Sequence, residues 1–180
     1  LMMKKLALAA LAGSLAAMAW PSAANAETHS YRWEHRVVCI DDQTETMPVR
    51  EVVEAIDPLV HVKLIYEPGC WGFAQTVEVT EEHRPEARWG GLTTLYPGTN
   101  NRIASAWIVF NLATIGHHDY DANRTLVAHE VMHVLGLDHT DASDSVMNYD
   151  TQYRYTGPTA RDIAEANAIW VWRQHAEEAR

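Results

Sequence analysis

Positive charge is scarce in this chain. Lysine and arginine together number 14 against 24 acidic residues, a formal net charge of −10 at pH 7. A chain this acidic carries no electrostatic footprint for nucleic acid or for an anionic membrane surface. Cysteine is rarer still, with Cys39 and Cys70 alone, which excludes a cysteine-rich metal cluster or a multiply stapled mini-domain. After the first 26 residues there is no internal repeat and no low-complexity segment. No loop has the spaced carboxylates of an EF-hand, so calcium is conceivable but has no motif to support it. No cysteine lies between Ala26 and the first predicted strand, so a thiol-based latency switch is not expected.

The amino terminus is read separately from the fold. Lys4 and Lys5 precede an apolar run from Leu6 to Trp20, and Ala24 and Ala26 frame an A-x-A site within "PSAANA". This is the pattern of a secretory signal peptide, residues 1–26, with cleavage after Ala26. A membrane anchor is the weaker reading, because the run is short and no stop-transfer charges follow. The expected product is a secreted or periplasmic domain of residues 27–180. Losing two lysines and no acid moves the net charge from −10 to about −12 and leaves Lys63 as the remaining lysine. In an oxidising compartment Cys39 and Cys70 are expected to form one disulfide, two buried thiols being the alternative.

The rest of the pattern alternates strands and helices. Residues 35–40, 59–67, 74–82, 88–96 and 102–111 read as strands, the last being the strongest. Residues 47–58 read as a helix, with Val49, Val52, Val53 and Ile56 at helical spacing between Pro48 and Pro58. A second helix is expected from Asn123 to Leu135, capped by Asn123 or Thr125 and stopped by Gly136. A third covers residues 159–180, with Thr159 as cap and Ile163, Ala166, Ile169, Trp170 and Trp172 as its apolar stripe. "HHDYD" at 117–121 reads as a solvent-facing loop. The fold class is α+β, with a mixed sheet and three main helices.

The segment "HEVMHVLGLDH", residues 129–139, carries the chemistry. His129 and His133 are one helical turn apart and can aim two ring nitrogens at one ion. Gly136 lets the chain leave the helix and bring His139 in from another side. Three neutral imidazoles leave a fourth position open, as in catalytic rather than structural zinc sites. Glu130 projects roughly 100° around the helix from His129, beside the ion, where it suits a general base for peptide hydrolysis. The competing reading, unligated histidines on a core helix, requires burying three imidazoles without partners, which is costly.

This motif, followed by "SVMNY" at 145–149, resembles the metzincin clan of zinc endopeptidases. Thr140 after the third histidine is similar to the matrixin branch, and "GGLTTLYPGTNNRIASAWIVFN" resembles bacterial matrixin-like proteins; the likeness spans roughly residues 88–172. It implies a twisted mixed sheet whose zinc cleft lies between an edge strand and the active-site helix. It also implies one catalytic Zn2+ on His129, His133 and His139, Glu130 as base, Gly136 as the turn, and Met147 as a methionine floor. The strand around 104–110 is implied to be the edge that binds an extended polypeptide by strand addition. Met-x-Tyr spacing is nearer the astacin and serralysin pattern, which makes Tyr149 a candidate transition-state stabiliser, with simple packing as the alternative. The chain is expected to act as a monomer. Two other functions remain open: a catalytically weak peptide-binding module on the same scaffold, and a zinc hydrolase of a non-protein substrate.

Overall fold

A computed structural model describes residues 32–99, 102–149 and 152–178, with side chains in the last helix described as far as Trp170. The expected signal peptide and Trp172 therefore lie outside the described side chains. Alternating and β-branched segments form six strands: β1 (Arg32–Trp33), β2 (Val37–Asp42), β3 (Lys63–Tyr66), β4 (Thr76–Glu82), β5 (Gly91–Pro97) and β6 (Arg102–Asn111). The helices are α1 (Val49–Ile56), a short α2 (Leu112–Ile115), α3 (Tyr120–Val134) and α4 (Ala160–Glu178).

The six strands form one mixed sheet. β2 lies between β3 and β4, β4 between β2 and β6, and these pairings are parallel, as is that of β1 with the start of β6. β5 joins β6 antiparallel, from Gly91↔Phe110 to Tyr96↔Ser105. This corrects the expectation that residues 104–110 form the edge. β6 is hydrogen-bonded on both sides, so its main chain has no free edge to offer a peptide. The edge beside the helices is β5. β6 has the near-continuous apolar run of a strand buried in mid-sheet, with Ile103, Ala106, Ile108, Val109 and Phe110 all buried.

One face of the sheet makes the main core. Val38, Ile40, Leu64, Val77, Val79, Ile108 and Phe110 pack with the apolar stripe of α1, namely Val49, Val52, Val53 and Ile56. On β2 the intervening residue, Cys39, points to the opposite face by strand alternation. There it forms the expected disulfide with Cys70 in the loop before β4, closing a 31-residue separation.

α3 differs from the expected helix at its start. It begins three residues earlier than Asn123, because Asp119 accepts a hydrogen bond from the Ala122 amide and caps it. Of "HHDYD", Asp119 is thus the cap and Tyr120 and Asp121 open the helix, while His117 and His118 stay in the loop before it, and the segment is largely exposed as expected. From Thr125 to Met132 every residue of α3 is buried, as expected of a helix enclosed on all sides. Its end follows the sequence expectation. Gly136 takes φ +98°, its amide bonds to His133 O at 2.9 Å, and Leu137 N bonds to Met132 O at 3.1 Å, the paired bonds of a Schellman stop. Trp33 Nε1 donates to Val134 O at 2.9 Å, satisfying a carbonyl the helix end would leave without a partner.

Candidate metal centre

α3 puts His129 and His133 on one face, and the turn at Gly136 returns the chain so that His139 meets them. The three Nε2 atoms form a triangle with sides of 3.1 Å. The outer nitrogens are all engaged: His129 Nδ1 with Val146 O at 2.8 Å, His133 Nδ1 with Leu137 O at 2.7 Å, and His139 Nδ1 with the Tyr149 hydroxyl at 2.8 Å. A carbonyl oxygen can only accept, so the first two rings carry their proton on Nδ1 and present a bare lone pair at Nε2. Burial lowers the pKa of His129 and, with repulsion from His129, pushes that of His139 down to about 4. Neutral imidazole is the form that ligates metal.

Bare lone pairs this close cannot bond one another, whereas a shared cation satisfies them all. Tetrahedral zinc with Zn–N distances of about 2.0–2.1 Å separates its nitrogen ligands by about 3.3–3.4 Å, near the spacing found. The donor set therefore fits zinc. Among the described residues, this is the one cluster of His, Cys, Asp or Glu side chains that converges in this way; no carboxylate group gathers as a calcium site would.

Glu130 is 3% exposed and sits beside the triangle. Its carboxylate accepts from Thr93 Oγ1 of β5 at 2.7 Å, and the same hydroxyl lies 3.2 Å from Glu130 O. Gly91 makes room for it, since a Cβ there would stand 2.5 Å from Glu130 Oε1. Burial pushes the Glu130 carboxyl up to about 7, with the Thr93 hydrogen bond pulling the other way. A neighbouring cation would favour its ionised form. The sheet register explains why β5 contributes: Gly91 and Thr93 oppose Phe110 and Ile108 on the core face.

The methionine turn is held from beneath by a residue that sequence reading treated only as part of a helix. Asp162 is fully buried. It accepts from the Ser145 hydroxyl, Val146 N at 3.0 Å and Thr159 N at 2.7 Å. Thr159 and Asp162 make the reciprocal cap of α4, and the same carboxylate reaches back to the turn. Val146 O then orients His129. The available signal was Thr159-x-x-Asp162 at a helix start, but its distant partners are not encoded locally. Met147 is fully buried in the main core, and Thr140 N bonds to Met147 O at 3.2 Å, tying the third-histidine loop to the turn.

His129, His133, His139 and Glu130 line a cleft of about 830 Å³ together with β5 and the three residues before it, Arg88 to Gly90. Tyr149 and Tyr153 also line it, and Tyr153 makes an edge-to-face contact with His118 at 5.2 Å. In the sequence, His118 is only part of the polar 117–121 segment and Tyr153 has no role of its own. Both flank the core motif at distances no local pattern specifies.

The family comparison agrees with this chemistry. A family model described as Matrixin matches residues 27–170. No curated protein matches the chain. Among solved structures, archaemetzincin from Methanopyrus kandleri is similar at a TM-score of 0.48 and 16% identity, over 76% of this chain and 96% of that one.

Proposed function

The chain belongs to the matrixin family and is a metzincin-clan zinc metallopeptidase; from that premise we propose that it is an exported endopeptidase using Glu130 as its proton carrier. His129, His133 and His139 would hold the ion. Zinc, when bound, acts as a Lewis acid toward the scissile carbonyl and makes water more acidic.

The chain's own residues supply the remainder. Among the described residues β5 has one strand partner, and it lines the cleft, so its outer edge can bind an extended substrate by main-chain hydrogen bonds. Glu130 lines the same cleft as the three histidines and is only 3% exposed. In this reading it takes the proton from the attacking water and delivers it to the departing amine, a contribution of about 10²–10⁴-fold. Thr93 fixes the carboxylate from β5, so the strand that aligns the substrate also aims the base. The export signal in residues 1–26, and one peptidase domain over 27–180, complete the proposal.

The convergence of three Nε2 atoms next to a buried glutamate, in a cleft edged by an antiparallel strand, carries this reading. Incubating the purified chain with a mixed peptide library should give cuts at internal bonds, abolished by a chelator and restored by zinc. Cleavage indifferent to chelation, or confined to chain termini, would overturn it. Binding without turnover would instead favour a peptide-binding module. Amino-terminal sequencing of protein recovered from the culture medium or periplasm should start at Glu27; an intact leader on cytoplasmic protein would refute export.

A further inference from the structure

The three imidazoles differ in what holds their outer nitrogens. For His129 and His133 the partner is a backbone carbonyl, and the fold itself dictates the ligating tautomer. For His139 the partner is the Tyr149 hydroxyl at 2.8 Å, which can donate or accept. Were the phenol to donate, the His139 proton would sit on Nε2, pointing at two lone pairs 3.1 Å away, and the ring could not share their cation. Were it to accept, all three Nε2 atoms would be bare. The rings also lie face to face, with centroids 3.9 Å apart and planes 31° from parallel.

We infer that Tyr149 is a positioning residue for the third metal ligand: its oxygen accepts the His139 Nδ1–H, which selects the ligating tautomer, while its ring fixes the imidazole plane by stacking. The inference rests on the metallopeptidase reading only for the identity of the ion. It differs from a transition-state role, because the phenol oxygen is engaged by His139 Nδ1 rather than directed at the triangle of Nε2 atoms. Outer partners of metal-bound histidines fix tautomer and orientation in this way, and losing one weakens metal affinity about 10–100-fold.

Tyr149→Phe keeps the ring and removes one oxygen. Tyr149 is 65% exposed, so the metal-free variant should unfold at the wild-type temperature. Zinc affinity measured by competition with a chromophoric chelator should fall about 10–100-fold. In 15N-detected imidazole spectra of the zinc form, the His139 Nδ1–H should lose its protection from exchange. Raising zinc to saturation should restore a larger share of wild-type kcat to Tyr149→Phe than limiting zinc does, the split expected of a role in metal binding. Tyr149→Leu, which also removes the stacked ring, should bind zinc more weakly still. Zinc affinity within about twofold of wild type in Tyr149→Phe would overturn the inference, whatever happens to kcat. A chain that binds zinc in this Tyr149-dependent way yet cleaves no peptide would sink the peptidase proposal and leave this one standing.

Discussion

The two halves of the core are built on different principles. Around β2, α1 and β4 the interior is apolar: Val38, Ile40, Val52, Val53, Val77 and Val79 are all buried, and Cys39–Cys70 fastens the outer face. Around α3, the methionine turn and the start of α4, the interior holds His129, Glu130, Ser145 and Asp162, each nearly or fully buried and each tied to a named partner. The first half is stabilised by area removed from water, which tolerates small changes of shape. The second relies on polar groups for which a missing partner is expensive. Stability can be altered in the apolar half without touching the metal, whereas in the polar half the two should change together.

The sharpest separation of chemistry from structure comes from Glu130→Gln. It should lower kcat by about 10²–10⁴-fold or more while zinc content, by metal analysis, stays at one ion per chain; full activity would remove Glu130 from the mechanism. Asp162→Ala comes next. It strands the Ser145 hydroxyl and the Val146 and Thr159 amides, each costing about 1–3 kcal/mol when buried. Denaturant unfolding should show a loss of about 3 kcal/mol or more, and zinc affinity should fall because His129 leans on Val146. A stable variant with wild-type zinc binding would erase the contrast between the halves. In the apolar half, Cys39→Ser with Cys70→Ser should cost about 2–4 kcal/mol, with zinc affinity and kcat measured on the folded fraction unchanged. Smallest is Ile56→Val, at about 0.5–1.5 kcal/mol and no effect on metal. A shift in zinc binding from either change would mean the two halves are mechanically coupled.

The same division explains how much the sequence reveals. α1 is legible because its four apolar residues recur at helical spacing between two prolines. The histidine triangle is legible because helical periodicity and one glycine bend bring its members together within eleven residues. The start of α3 was misplaced because Asn123 and Thr125 are cap-forming residues in their own right, while Asp119 acts from within a stretch that reads as loop. The edge strand was misplaced for a different reason. Segments 88–96 and 102–111 both read as strands, and which one is central depends on pairing with β4, whose partners lie 29 residues away, as in Thr76↔Ser105. The long apolar run of β6 was the available clue. Thr93 and Asp162 were invisible because their partners, Glu130 and the 145–146 turn, are 37 and 16–17 residues distant, with no period connecting them.

The Asp162 clasp bears on any attempt to trim the protein. A fragment ending before Thr159 would retain every residue of the eleven-residue motif, the methionine and the facing strand, and by motif alone would count as a complete enzyme. It would nevertheless lack the carboxylate that braces the floor under His129. The smallest working unit is thus set by a helix whose described residues add no ligand to the triangle, and its boundary falls well beyond the last residue that a motif search would underline.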